Sequence, residues 1–213
     1  MRKKVINKKI SYIPATNNPL SADIGVIKDG KETWLFDVGN GSFNVEGLDD
    51  EYNVVLSHFH LDHIGNFGRI KIKNLYVSKE TYRHLPKFLI DENKVKIIDK
   101  HFKIDNFEIF PIPSSHAKGC IGLKVDNEYA FVGDAIYCKN KDNKLIFNAQ
   151  LLKEEIDVLK KLDTNYLLVS HLKGFIIKRS EVIEGLELIY QLRKQNNPEI
   201  VIDKNELEKS ITC

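Results

Sequence analysis

The sequence is poor in the features that would place it in several broad classes. It has three cysteines, Cys120, Cys138 and Cys213, in 213 residues. An odd, sparse count is no disulfide framework, and without CxxC spacing it offers no thiolate zinc site. Such usage predicts buried or incidental thiols in a reducing cytoplasm. No apolar run approaches the roughly 18 residues that a membrane helix needs. No charge sign dominates either: 32 Lys and Arg stand against 30 Asp and Glu, a net of +2. That balance advertises no general nucleic-acid surface and disfavours such a partner. The one basic cluster, residues 1–9, lacks the apolar centre of a secretion signal. It reads as an edge strand whose solvated lysines discourage stray pairing. Repeats, low-complexity tracts and Pro/Gly/Ser-rich linkers are also missing, so residues 1–213 read as one continuous domain.

What is present is an ordinary globular mixture, 42% hydrophobic and 29% charged, in a chain long enough to bury a core without covalent staples. The first half predicts short strands. Residues 22–27 and 33–38 flank Asp29-Gly30, a hairpin signal. Residues 53–56, 75–77, 107–112, 121–125, 129–132 and 166–169 add further strands. Helical spacing runs from Lys79 toward Leu89 with a break at Pro86, and again over 151–162 and 181–192. Ser180, followed by Glu181 and Glu184, predicts the N-cap of the last helix. Strand clusters alternating with helices point to an α/β sandwich.

Chemistry concentrates in Ser57-His58-Phe59-His60-Leu61-Asp62-His63-Ile64-Gly65-Asn66, directly after a buried strand. The ends of strands are where α/β folds place their sites. His58 and His60 are two apart, so an extended backbone points both to one side. Asp62 and His63 follow where the chain can bend into a helix, and they face another way. One metal cannot easily take all four; two neighbouring metals can. Imidazole and carboxylate ligands suit zinc, with iron or manganese also fitting. Three more candidates stand at strand exits: His116, Asp134 and His171. His84, in a helix, and His101, in a polar loop, read as surface residues.

With Asp37 in Phe36-Asp37-Val38-Gly39, these segments run in the order found in the metallo-β-lactamase-fold hydrolase superfamily, which the chain resembles over essentially its whole length. The resemblance implies a four-layer αββα sandwich with two divalent metal ions at one edge of the two sheets. It implies His58, His60 and His116 on the first ion, Asp62, His63 and His171 on the second, and Asp134 bridging both. Asp37 would support the site from behind. The activity implied is that of a hydrolase in which a hydroxide bridging the metals attacks an ester, thioester or lactone carbonyl of a small metabolite, with Asp62 orienting it. Within the superfamily the set looks most like glyoxalase II and the acyl-homoserine-lactone lactonases. True β-lactamases usually lack a counterpart of His63 or of Asp134, which disfavours antibiotic hydrolysis. The alternatives are a phosphodiesterase acting on nucleotides or nucleic acid, and a non-catalytic metal-binding or sensing protein on the same fold. Asn66 and Ser115 stand where relatives often carry Gly, and both rim the site. Tyr137, three after Asp134, is similar in placement to a lactonase phenol that can meet the substrate carbonyl or the leaving group. Lys118 and Lys173, each two residues after a ligand, could meet an anionic substrate. No pattern indicates an oligomeric state.

Overall fold

The computed structural model describes residues 3–204. Met1, Arg2 and Cys213 lie outside them. In chain order the first half holds β1 (Lys4–Val5), β2 (Ile10–Ile13), β3 (Thr16–Asn17), β4 (Leu20–Ser21), β5 (Ile24–Asp29), β6 (Glu32–Phe36), β7 (Glu51–Val55), β8 (Lys71–Val77) and β9 (Val95–Ile97). The second half holds β10 (Phe102–Ile104), β11 (Phe107–Ile112), β12 (Cys120–Val125), β13 (Tyr129–Gly133), β14 (Lys139–Lys141), β15 (Lys144–Asn148), β16 (Tyr166–Val169), β17 (Ile176–Lys178) and β18 (Glu199–Asp203). The helices are α1 (Leu61–Ile64), α2 (Lys79–His84), α3 (Ala149–Lys161) and α4 (Arg179–Gln191).

Two sheets carry the fold. One is seven-stranded, in the order β1-β2-β5-β6-β7-β8-β9; the other is six-stranded, in the order β10-β11-β12-β13-β16-β17. The first turns parallel from β6 onward, and in the second only β13 and β16 run parallel. β14, β15 and β18 form a separate three-stranded sheet, which no sequence pattern announced. The lysine-rich start is indeed an edge: β1 pairs only with β2 among the described residues.

Strand alternation sorts the apolar side chains into three layers. Trp34 and Phe36 of β6, Val55 of β7, Phe107 and Ile109 of β11 and Phe131 of β13 fill the space between the sheets. Leu35 and Val54 point the other way, under Ile64, Phe67 and Leu85. Ala130, Val132, Leu167 and Val169 leave the opposite face of the second sheet to pack on Leu152, Ile156 and Leu159 of α3 and on Val182 and Leu186 of α4. The result is the αββα layering.

Gly25 of β5 lies directly against Phe131 of the other sheet. A Cβ there would overlap the ring of Phe131, which is fully buried and cannot swing away. Gly25→Ala is expected to destabilise the protein by about 1–3 kcal/mol through overpacking. Urea denaturation checks this, and Phe131→Leu in the same chain should recover part of the loss.

One helix stops at the expected break and another starts earlier than expected. α2 ends at His84, because Pro86 removes a donor and pushes Leu85 into extended geometry (ψ 147°); Lys87–Leu89 make only a single 3-10 turn. Ser180 does not cap α4, which already starts at Arg179. The Arg179 N–H donates to Asn165 O at 2.9 Å, and its guanidinium donates to the carbonyls of Thr164 (2.7 Å) and Leu159 (3.0 Å). These bonds start the helix two residues earlier than expected.

Candidate metal centre

The candidate residues meet at one edge of the sandwich. Asp37 follows β6, His58 follows β7, His116 follows β11, Asp134 follows β13 and His171 follows β16. After β7 the chain bends at Phe59, and His60, itself extended, leads into α1, so Asp62 and His63 swing away from the first two imidazoles. Two groups of ligand-type atoms result: His58, His60 and His116, and beside them Asp62, His63, Asp134 and His171.

In the first group His60 Nδ1 lies 3.0 Å from His58 Nε2 and 2.9 Å from His116 Nε2. An imidazole nitrogen has one in-plane lone pair and cannot accept well from two donors at once. Three nitrogens so placed suit a common cation instead: bonds of about 2.0–2.1 Å in tetrahedral geometry separate ligands by roughly 3.3 Å. In the second group Asp62 Oδ2 lies 3.0 Å from His171 Nε2. Asp134 Oδ2 sits between the groups, 3.4 Å from His63 Nε2, 3.5 Å from His116 Nε2 and 3.8 Å from His171 Nε2. Buried His63 Nε2 and Asp134 Oδ1 have no hydrogen-bond partner among the described residues. Orphaned polar atoms at that depth are costly unless something else meets them. The donor set therefore fits two adjacent divalent cations.

Hydrogen bonds behind the ligands fix which nitrogens face the site. Asp37 is fully buried and takes three donors: Ser57 N–H on Oδ1, and Ser57 O–H and His63 Nδ1 on Oδ2, all at 2.7 Å. Ser57 Oγ in turn faces His58 Nδ1 at 2.9 Å. This network assigns the protons to Nδ1 of both histidines and turns both Nε2 lone pairs toward the cluster. Gly133 (φ 57°) is required here, since a Cβ would fall 2.7 Å from Ser57 Oγ. Asp37→Ala leaves three buried donors, the His63 imidazole among them, without their carboxylate. It is expected to cost about 3–5 kcal/mol of stability and to weaken metal uptake by about 10–100-fold, read from a denaturation midpoint and a chelator competition.

Protonation follows the same division. Burial first, then the neighbouring imidazoles, holds His58 well below the ordinary histidine value. Burial likewise lowers His60 and His116. All three stay neutral, as ligands must. In the second group, burial pulls His63 down, but Asp37 and Asp134 outweigh it and raise the group to about 10, so a cation would take the place of the proton on its Nε2. The hydrogen bond to Asp62 raises His171. Burial works against Asp62 ionising, yet His171 and His63 bring its carboxyl below the usual range.

No protein-family model and no curated protein sequence matches the chain. Solved structures do. The DIM-1 metallo-β-lactamase shares 14% identity, with 89% of this chain and 96% of that one covered at a TM-score of 0.64. An archaeal metallo-β-lactamase superfamily protein, ST1585 from Sulfolobus tokodaii, shares 19% identity over 97% of this chain and 96% of that one, TM-score 0.57. The chemotaxis sensor ODP, solved as a peroxy diiron species, shares 17% over 99% and 100%, TM-score 0.66. This chain has the metallo-β-lactamase fold.

On that fold the structure brings His58, His60, Asp62, His63, His116, Asp134 and His171 together. Tyr137 lies beside them, its ring centroid 6.4 Å from that of His116. Its hydroxyl donates to Ser170 O at 2.8 Å, and burial, then the charges of Asp134 and Asp23, push the phenol up to about 12. Lys118 is exposed, with Glu80 at 3.9 Å, and Lys173 is exposed on the His171 loop. His84 and His101 are surface residues as expected, although His84 also stacks on Phe59 at 4.2 Å between ring centroids. Sequence reasoning missed Ser57 as a link between Asp37 and His58. It also missed Ser114, whose Oγ accepts the His116 N–H at 3.0 Å and donates to Ala135 O. Small hydroxyl residues next to ligands were the only available signal.

Proposed function

We propose that the protein is a hydrolase that uses two divalent cations, zinc first among them, to cleave an ester, thioester or lactone bond in a small metabolite. The carrying observation is Asp134 Oδ2, placed within 4 Å of imidazoles from both groups. The cluster is also graded in depth. His58 and His63 are fully buried, whereas the side chains of Asp62, His116 and His171 are 15%, 18% and 24% exposed. A purely structural site would close with four ligands; this one keeps a floor and an open rim. The absence of thiolate among the ligands suits zinc, iron or manganese, and zinc suits hydrolysis best.

Cations held there would lower the pKa of water toward neutrality and polarise the oxygen of a scissile carbonyl. The chain's own residues divide the remaining work. His58, His60 and His116 supply neutral nitrogens and therefore leave net positive charge at the first position. Asp62 and Asp134 bring negative charge to the second. Asp62 is the more exposed of the two carboxylates and holds its pKa low, so it orients water by accepting a hydrogen bond. Tyr137 would reach the substrate carbonyl or leaving group by turning its O–H away from Ser170 O. A cavity of about 470 Å3, lined by Ser115, His116, Lys118, Lys139, Ile146 and Leu151 among others, holds the substrate body. Its wall mixes apolar side chains with Lys118, Lys139 and the carboxylate of Glu199, which suits a small metabolite with a polar end. Such a substrate and the sparse cysteines agree with work in the cytoplasm.

The test is a turnover panel on zinc-loaded protein: a lactone, a thioester, an aryl ester and an aryl phosphodiester. Hydrolysis confined to the three carbonyl substrates is expected. Cleavage of the phosphodiester alone would replace this reading with the phosphodiesterase one. A second reading, a diiron sensor, is favoured by the full-length likeness to the chemotaxis sensor. It requires ferrous protein that reacts with oxygen to give a visible absorption band, and no turnover of any panel member.

A further inference from the structure

Ala22-Asp23, between β4 and β5, supplies no ligand, and the sequence marks it only as the start of a strand. It nevertheless grips both ends of the second ligand group. Ala22 N–H donates to Asp62 O at 2.9 Å. Asp23 Oδ2 accepts the His171 N–H at 3.0 Å, and Oδ1 accepts the Ala15 N–H at 3.0 Å. The Asp23 residue is only 4% exposed, so these bonds are shielded from water. Asp62 follows a strand of one sheet and His171 a strand of the other. They lie 109 positions apart, and their side chains meet at 3.0 Å.

His171 sits at φ 62°, in the left-handed region. A non-glycine residue holds that geometry only where its surroundings fix it. Here the Asp23 carboxylate fixes its N–H with a charge-assisted hydrogen bond. The preceding peptide is held by Tyr137 O–H on Ser170 O and by Ser170 N–H on Gly133 O. By contrast, the hydrogen bonds of His58, His60 and His116 involve none of residues 21–23 among the described residues.

We propose that Asp23 is a positioning residue for the second cation alone: it fixes the His171 backbone so that Nε2 meets Asp62 and Asp134. The proposal rests on the two-cation reading above. The orientation of one imidazole through a hydrogen bond to its own backbone, supplied from the far end of the chain, would make the N-terminal segment part of the second site and not of the first.

The test is a zinc titration of metal-free full-length protein against a competing chelator, which needs no substrate. Wild type is expected to take two equivalents. Asp23→Ala should hold the first within about threefold of wild type and weaken the second by about 10–100-fold. Asp23→Asn keeps the shape but has one acceptor oxygen for two N–H donors, so it should weaken the same equivalent by a smaller factor. It also serves as the deciding variant if Asp23→Ala does not fold. Equal weakening of both equivalents would reveal a general structural role and overturn the proposal. So would an unchanged second equivalent in a folded variant. A wild-type chain that binds fewer than two equivalents refutes the two-cation reading itself, and this outcome is distinct from the others.

Discussion

Asp134→Ala is expected to leave the fold standing while one zinc equivalent is lost and turnover falls by about a thousandfold, roughly 4 kcal/mol of barrier. The fold should survive because the local backbone does not use the side chain. Ala135 N–H bonds to Val132 O, Tyr137 N–H to Asp134 O and Ser170 N–H to Gly133 O. Function should fail because Asp134 Oδ2 is the atom shared between the groups. Without it, His63 and His171 keep only Asp62 as a companion ligand in the second group. The first group keeps its three histidines and should retain its ion. Metal analysis by mass spectrometry and initial rates on the best panel substrate check both halves. Two ions and wild-type turnover in the variant would remove Asp134 from the centre of the site.

Glu155→Leu is expected to stabilise the protein, and more so as the pH rises. Glu155 shares the inner face of α3 with Leu152, Ile156 and Leu159; it is 0% exposed, and neither carboxylate oxygen has a partner among the described residues. Burial raises its pKa well above the ordinary 4.5. The sign follows from proton counting. Between 4.5 and the raised folded-state value, the native protein keeps a proton that the unfolded chain has released. Native stability therefore falls as pH rises through this window, by about 1.4 kcal/mol per pH unit. Leucine does not titrate, so the gap between variant and wild type should open from about pH 4.5 upward and be smallest below it. Urea unfolding at pH 4, 6 and 8 measures the gap; a gap independent of pH would show that the carboxyl is not buried as described. Burial also pushes the neighbouring Cys120 thiol up to about 12, which keeps it an inert packing group.

Much of the site was legible because its information is local. His58, His60, Asp62 and His63 lie within one short run, and the turn into α1 after His60 is enough to aim them at two positions. His116, Asp134 and His171 were marked by the strands they follow. What stayed hidden is long-range. The bond from Asp23 to His171 joins residues 148 positions apart, and nothing near Asp23 in sequence reports it. β14, β15 and β18 were equally hidden. Lys139-Asn140-Lys141 is fully exposed, and β15 pairs with a strand that begins about fifty residues later, at Glu199, so neither carries strong alternation. The start of α4 was misplaced for a related reason: Arg179 is held by carbonyls at the end of α3, a tertiary effect that overrides the local capping preference of Ser180.

The most direct measurement is anomalous diffraction at the zinc edge from crystals of zinc-loaded protein. Two peaks are expected, one bonded to His58 Nε2, His60 Nδ1 and His116 Nε2, the other to Asp62, His63 Nε2 and His171 Nε2, with Asp134 reaching between them. A single peak, or two peaks that leave Asp134 bound to neither ion, would contradict the paired centre on which the proposed hydrolysis depends.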